Sequence, residues 1–160
     1  MIRPCALRDA AAICEIYNSF VRDTIITFEE TPVGTAEMAH RIAEVTVRFP
    51  WLVAEEQSAI AGYAYATPWK ARSAYRFAVE TTVYVAPGHL RRGLGTALYR
   101  ELIAALRKLD VHCAVGGIAL PNPASVALHE KLGFNKIGQF VEVGRKFDRW
   151  VDVGYWELIL

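Results

Sequence analysis

Cysteine is scarce in this sequence, and the few cysteines lie far apart. Cys5, Cys14 and Cys113 are odd in number and form no CxxC pair, which argues against a disulfide framework and against a zinc site. We therefore expect reduced, buried thiols and no bound metal. The start of the chain carries a charge at Asp9 where a secretory signal needs its apolar stretch, so we expect a cytoplasmic protein.

Long apolar runs and an excess of one charge are also missing. Although 53% of the residues are hydrophobic, no segment approaches the roughly 18 apolar residues of a membrane-spanning helix. Lys and Arg number 18 against 17 Asp and Glu, a net charge of +1, which is too little field for sequence-independent nucleic-acid binding. We expect neither a membrane nor a nucleic acid as partner, and a small-molecule ligand is favoured.

No repeat, low-complexity tract or linker divides the 160 residues, so we expect one domain over residues 1–160. Hydrophobic periodicity predicts a helix capped by Asp9, a second helix from Thr35, a hairpin over 51–67 and a long strand over 76–86. A third helix follows Gly95 and reaches Leu109, and then come a strand over 112–119, a short helix over 122–132 and a last pair of strands. The predicted order is βααβββαβαββ, an α/β fold (α+β in some schemes) in which helices flank a mixed, mostly antiparallel sheet.

A basic, glycine-rich turn, PGHLRRGLGTAL, joins the long strand to the third helix. Free N–H groups at a helix start bind anions; Gly93 and Gly95 permit unusual φ values, and Arg91 and Arg92 add positive charge. An ordinary basic surface turn would have the same composition. A dinucleotide GxGxxG is excluded because Leu98 occupies its third glycine position, and a P-loop is excluded because no Gly-Lys-Ser/Thr is present.

The segments VETTVYV, RRGLGTAL and NPASVALHEKLGF together resemble the GNAT acyl-CoA-dependent N-acetyltransferases. The family motif Gln/Arg-x-x-Gly-x-Gly/Ala, whose amides hold the pyrophosphate of coenzyme A, is matched at Gly93 and Gly95 but has Leu90 at its first position. In the second motif, Asn-x-x-Ser/Ala-x-x-Leu-Tyr-x-Lys-x-Gly-Phe, His129 replaces the tyrosine. The resemblance implies the GNAT fold and acetyl-CoA as co-substrate. The coenzyme-binding positions that it implies are Val83, Tyr84, Val85, Arg91, Arg92, Gly93, Leu94, Gly95, Thr96, Asn122, Ser125 and Lys131.

Within that superfamily, PWKARSAY, VETTVYV and WVDVGYW are similar to the phosphinothricin N-acetyltransferases, a herbicide-detoxifying family. This resemblance covers nearly the whole chain and implies acetylation of the α-amino group of a small amino acid or analogue, of the phosphinothricin or methionine sulfone and sulfoximine type. It also implies a homodimer with the pocket near the interface. The chain departs from the family at Leu90, at NPAS where members often have NDPS, and in the KFDRW turn.

Two residues are candidates for proton transfer, because an ammonium must lose its proton before it attacks a thioester. A carboxylate in a cleft can accept that proton, and Glu80 in the long strand is the candidate base, although a mid-strand glutamate can also be a solvated sheet residue. His129 is the second candidate, as base, as acid or as a substrate contact, with a packed helical histidine as the alternative. Backbone N–H groups of Val83–Tyr84–Val85 are expected to meet the developing oxyanion, with direct attack in a ternary complex.

The remaining site candidates are implied by the resemblance. Arg72 and Tyr75 would meet the acidic end of the substrate, since an arginine fork suits a carboxylate or phosphinate, unless KARSAY is simply a solvated basic loop. Phe28 would form a wall of the pocket. The aromatic residues near the end of the chain are expected in the core or at a dimer interface: Trp150, Tyr155 and Trp156.

Three other functions remain open on the sequence alone. The acceptor could be a protein N-terminus or a polyamine, although the cations of the Lys70–Arg72 loop disfavour a polyamine. The chain could be a non-catalytic acyl-CoA-binding module, which the presence of both Glu80 and His129 disfavours. It could use the basic turn to bind a nucleotide or RNA phosphate, which the low net charge disfavours.

Overall fold

A seven-stranded sheet organises residues 1–160, all of which the computed structural model describes. The order across the sheet is β1-β2-β3-β4-β5-β7-β6, and β4 with β5 is the one parallel pair. This mixed, mostly antiparallel arrangement confirms the predicted fold class. The strands are β1 (Ile2–Pro4), β2 (Trp51–Glu56), β3 (Ala59–Pro68), β4 (Ala78–Val85), β5 (Cys113–Leu120), β6 (Asn135–Lys146) and β7 (Arg149–Ile159).

Four helices cover the two faces of the sheet: α1 (Ala10–Asp23), α2 (Thr35–Thr46), α3 (Leu94–Leu106) and α4 (Pro123–Lys131). Helices α1 and α2 share one core cluster with the aromatic face of β2 and β3, and α3 packs into a second cluster with α4 beside it. Leu98, Leu102 and Leu106 are fully buried at the predicted helical spacing. No helix is both long enough and apolar enough to cross a membrane.

Several boundaries differ from those that the sequence predicts. Helix α3 starts at Leu94 and ends at Leu106, so Leu109 lies outside it and is exposed. Strand β4 starts at Ala78, because Ser73–Tyr75 forms a 3-10 turn before it. Periodicity alone could not resolve these ends, since turns continue the apolar spacing for a few residues.

Asp9 stands at the N-cap position of α1, but its side chain does not make the predicted capping hydrogen bond. Its carboxylate binds residues that precede the helix instead. It accepts two hydrogen bonds from the guanidinium of Arg3, at 2.7 and 2.9 Å, and one from the N–H of Ala6 at 2.8 Å. The Arg3 partnership lowers the pKa of the Asp9 carboxyl. The residue thus ties the short strand β1 to the start of α1.

Strands β4 and β5 separate soon after they begin to pair. Their parallel ladder contains only Ala78 with Cys113, Val79 with Ala114, and Glu80 with Val115. Beyond Glu80 the two strands diverge, while β4 stays paired to β3 as far as Val85. A cleft therefore opens in the middle of the sheet immediately after Glu80.

Gly62 allows α3 and β4 to pack closely against β3, and we predict that Gly62→Ala destabilises the fold. A β-carbon at this position would lie 2.8 Å from the carbonyl oxygen of Tyr84 and 3.3 Å from Leu98 Cδ1, so backbone would have to shift. We expect a loss of about 1–3 kcal/mol in the free energy of unfolding, measured by urea denaturation. Gly138→Ala, where a β-carbon meets nothing within 4 Å, is the matched control, and equal stability of the two variants would contradict the packing described.

Candidate active site

The glycine-rich turn builds an anion-binding helix start. Gly93 is the N-cap of α3 with φ of +77°, and Arg91 also has a positive φ of 63°. The first backbone bond of the helix runs from the Ala97 N–H to the Gly93 carbonyl at 3.0 Å, so the N–H groups of residues 94–96 precede the helical ladder and are available to a ligand. Glycine at position 93 avoids the cost of a left-handed backbone.

A groove of about 500 Å³ runs from this turn between β4 and α4; we call it the turn groove. All but one of the predicted coenzyme positions line it, namely Val83, Tyr84, Val85, Arg91, Gly93, Leu94, Gly95, Thr96, Asn122, Ser125 and Lys131. The α4 side is held by a cap in which the Asn122 side chain accepts the Ser125 N–H at 3.1 Å.

Arg92 is the predicted coenzyme position that lies outside the turn groove. Its guanidinium is largely exposed and lies 3.8 Å from a carboxylate oxygen of Glu56, on the β2–β3 hairpin. The same carboxylate is 2.8 Å from His89 Nδ1. The contact between His89 and Glu56 could not be predicted, because residues 33 positions apart carry no local signal of pairing. Glu56 therefore holds the basic turn against the β2–β3 hairpin.

Glu80 lies in a second cavity, of about 400 Å³, where β4 and β5 separate; we call it the central cleft. The side chain is half-buried, and burial raises the pKa of its carboxyl above the ordinary value, with no cation lowering it. A β-carbon on Gly117 would lie 3.2 Å from Glu80 Oε1, so the glycine leaves room for the carboxylate. The alternative of a solvated sheet residue does not fit this placement.

His129 is almost fully enclosed, with 3% of its surface exposed. Its Nδ1 lies 2.8 Å from the Ser125 carbonyl, and its Nε2 lies 2.9 Å from the hydroxyl of Tyr99. The Tyr99 hydroxyl is also 3.1 Å from the Thr81 carbonyl. Burial lowers the pKa of His129, and the Ser125 carbonyl opposes this in part. The neutral ring therefore donates from Nδ1 and accepts the Tyr99 proton at Nε2.

Glu80 and His129 approach the central cleft from opposite faces of the sheet. A β-carbon on Gly116 would collide with the His129 ring, whereas one on the next residue, Gly117, would approach Glu80. Successive residues of a strand point to opposite faces, so β5 passes between the two side chains. Both line the central cleft, as predicted for partners in one site, but they reach it from opposite sides of β5.

The predicted substrate contacts divide into two groups. Phe28 lines the central cleft. Arg72 and Tyr75 are exposed and lie outside it, at the 3-10 turn before β4. No lysine or arginine is among the residues that line the cleft.

The three aromatic residues of β7 have different environments. Trp156 is in the core, as expected, and Trp150 is exposed. Tyr155 contacts Trp69 and Phe140 edge to face and lines the central cleft. We expected it in the core or at a dimer interface, and its place in the site was not predicted. Sequence reasoning also missed further lining residues, which lie on the α1–α2 loop and the last three strands: Ile26, Thr27, Gly117, Val143 and Val153.

Residues 2–154 match the acetyltransferase (GNAT) domain family. The chain is 42% identical to the phosphinothricin N-acetyltransferase of Streptomyces viridochromogenes, over 98% of this chain and 85% of the relative. It is 39% identical to the L-methionine sulfoximine/L-methionine sulfone acetyltransferase of Salmonella typhimurium, over 95% of this chain and 90% of the relative.

A solved structure agrees with these relationships. The GNAT superfamily phosphinothricin acetyltransferase of Sinorhizobium meliloti, in complex with acetyl-CoA, superposes with a TM-score of 0.97 at 37% identity, covering 100% of this chain and 88% of that one. The fold, the helix-start groove and the central cleft thus define an acyltransferase architecture. The chain belongs to the GNAT N-acetyltransferases, as its motifs indicated.

The raised pKa of Glu80 predicts that Glu80→Gln stabilises the fold at neutral pH. The folded-state pKa exceeds the ordinary value of 4.5, so the ionised side chain costs stability above the folded-state pKa, and that cost disappears as pH falls toward 4.5. We expect a higher Tm for Glu80→Gln at pH 7 and a gap that narrows in acid, measured by scanning calorimetry. Glu101→Gln, at an exposed position, is the control; a gap that widens in acid would contradict the assignment.

Proposed function

We propose that this protein transfers an acetyl group from acetyl-CoA to the α-amino group of a small amino acid or analogue, of the phosphinothricin or methionine sulfone and sulfoximine type. The observation that carries the proposal is the half-buried Glu80 in a cleft that adjoins the anion-binding helix start. Five residues line both cavities, so a ligand in one can reach the other: Ile26, Val83, Tyr84, Asn122 and Ser125.

The turn groove fits the coenzyme on the chemistry of its donors. The N–H groups of residues 94–96 and the Arg91 side chain suit a diphosphate, and Lys131 adds a second cation on α4. Because these contacts are mainly backbone, Leu90 at the first motif position does not remove them. Acetyl-CoA supplies the acetyl group as a thioester. In the turn groove the thioester would lie toward the central cleft, with which the groove shares lining residues of β4.

The edge of β4 that faces the cleft supports attack on that carbonyl. Beyond Glu80 the edge has lost its β5 partner, so backbone N–H groups within Val83–Val85 are free to meet the oxygen that gains negative charge. The Glu80 carboxylate accepts the first proton of the bound ammonium, directly or through one water. The neutral nitrogen then forms the new C–N bond as the C–S bond breaks, and the second proton that this nitrogen must lose goes to the departing thiolate. We therefore assign direct attack without a covalent enzyme intermediate.

His129 and Tyr99 can hold the proton that the reaction moves. When the ring is neutral, Tyr99 donates its hydroxyl proton to Nε2. When the ring is protonated, Nε2 donates to the hydroxyl oxygen, and Tyr99 turns its proton to the Thr81 carbonyl 3.1 Å away. Both states keep the His129 ring nitrogens and the Tyr99 hydroxyl hydrogen-bonded. We assign His129 and Tyr99 to carrying the second amine proton to the departing sulfur, a step that needs little help because a thiolate leaves readily.

The acidic end of the acceptor requires a cation that the central cleft does not supply. Arg72 is the predicted residue for this contact, with Tyr75 beside it, and both are exposed at the turn that leads into β4. Phe28 and Tyr155 form apolar walls closer to Glu80. We propose the cytoplasm as the site of action, since Cys5, Cys14 and Cys113 are all unpaired, as suits a reducing compartment.

The proposed reaction predicts acetyl-CoA-dependent turnover of amino acid analogues and a large loss in Glu80→Gln. Thiol release is measured with phosphinothricin, methionine sulfone, methionine sulfoximine, spermidine and short peptides as acceptors. We expect activity on the amino acid analogues, and in Glu80→Gln a fall in kcat/KM of about 10²–10⁴-fold with loss of the acid limb of the pH profile. Activity on spermidine or peptides alone, or an unchanged kcat in Glu80→Gln, would reject the proposal.

We also propose that the protein forms a homodimer through the open edge of the sheet. Strand β6 is twelve residues long, lies at the edge and is exposed along nearly all its length. Such an edge invites pairing with another chain unless it is covered. The hairpin of β6 and β7 also exposes an apolar set, the β6 patch: Ile137, Phe140, Val141, Val143, Phe147 and Trp150.

The dimer proposal predicts that a charge in the β6 patch separates the protomers. Val141→Asp places a carboxylate on a side chain that is 73% exposed in the single chain, where it would be buried on dimerisation without a partner. Sedimentation should show a dimer for the unaltered protein and a monomer for this variant. Val47→Asp, at a position 87% exposed outside the patch, should stay dimeric. A monomeric unaltered protein, or a dimeric Val141→Asp, would contradict the proposal.

A further inference from the structure

One wall of the central cleft is built from two distant parts of the chain. Ile26, Thr27 and Phe28 come from the loop between α1 and α2, and Val143 comes from β6. The α1–α2 loop has no regular secondary structure of its own at these residues. Its position therefore depends on contacts with other elements.

Lys146, at the end of β6, makes the first of these contacts. Its Nζ donates to the Thr27 carbonyl at 2.8 Å, across 119 positions of sequence, and only 2% of the side chain is exposed. Burial lowers the pKa of this lysine, and Glu30 opposes the change only at longer range. A buried ammonium without an ion pair is costly. The hydrogen bond to Thr27 and the Phe147 ring, whose centroid is 5.1 Å from Nζ, offset this cost.

Gly144 makes the second contact, two residues earlier on the same strand. A β-carbon at this position would overlap the ring of Phe28, with 2.5 Å to Cζ and 2.9 Å to Cδ2. The ring therefore rests directly on the β6 backbone. Tyr17 adds a bond from inside the core, since its hydroxyl lies 2.7 Å from Thr27 Oγ1.

We propose that Lys146 and Gly144 are positioning residues that clamp Thr27 and Phe28 against β6 and so set which acceptor side chains fit the central cleft. The inference rests on the proposed acetyl transfer and extends it to residues outside the matched motifs. The clamp acts on Thr27 and Phe28, which line the central cleft and not the turn groove. Neither Lys146 nor Gly144 lines the turn groove or the central cleft itself.

Two variants release the clamp by different routes. Lys146→Met removes the donor but keeps the length and apolar body of the side chain, and Gly144→Ala pushes the Phe28 ring away from β6. Each has a matched control on the same strand. Lys136→Met alters a lysine whose Nζ binds exposed Gln139 at 2.8 Å and lies 5.4 Å from the ring centroid of Trp156, away from both cavities. Gly138→Ala places its methyl group where nothing lies within 4 Å.

Steady-state kinetics with methionine sulfone and with phosphinothricin test the clamp. In Lys146→Met and in Gly144→Ala we expect KM for the acceptor to rise roughly five- to tenfold, as for loss of one buried hydrogen bond, while KM for acetyl-CoA stays unchanged. The two control variants should match the unaltered protein. An unchanged acceptor KM, or an equal rise in both KM values, would overturn the proposal.

Hydrogen exchange tests the same clamp without any turnover. Amides of residues 25–30 should exchange faster in Lys146→Met and Gly144→Ala than in the controls, with the core of α3 unaffected. Exchange that is unchanged over 25–30 would overturn the clamp, and so would equal acceleration throughout the fold. If the unaltered protein acetylates none of the acceptors, the proposed function fails, whereas this comparison still decides on the clamp.

Discussion

The separation of β4 from β5 after the Glu80–Val115 pair is the constraint on which the rest of the structure depends. It removes the partner from one edge of β4, so that backbone groups there can bind a ligand. It also opens a space that a carboxylate on β4 can enter from one face and a histidine on α4 from the other. A continuous parallel ladder would leave neither the free edge nor the cleft.

Two glycines and the burial of Glu80 and His129 make the cleft suitable for proton transfer. Gly116 and Gly117 clear the two faces of β5 for the His129 ring and the Glu80 carboxylate. Burial then favours the uncharged form of both groups, raising the pKa of Glu80 and lowering the pKa of His129, because the charged form of each loses solvation. Glu80 and His129 are thus both easier to convert to their uncharged forms, which suits a site that moves protons between atoms.

Much of this arrangement could be predicted from the sequence, because its signals are local. Apolar spacing predicted the helices and strands, the turn at Gly93 predicted an anion site, and the resemblance to the GNAT family implied the coenzyme positions from Asn122 onward. The contacts that could not be predicted join distant residues: Tyr99 with His129, Glu56 with His89, and Lys146 with Thr27. Each pairs polar groups on separate elements, and no spacing rule within one element reports such a pair. Tyr99 lies beside Leu98 in an apolar helical pattern, so the sequence indicates a core residue there and not a partner of His129.

The most direct measurement is a crystal structure with coenzyme A and methionine sulfone bound together. The account predicts the diphosphate on the N–H groups of residues 94–96 and the amine nitrogen about 3 Å from a Glu80 oxygen, or joined to it by one water. An amine bound away from Glu80, with no water path to its carboxylate, would contradict the account.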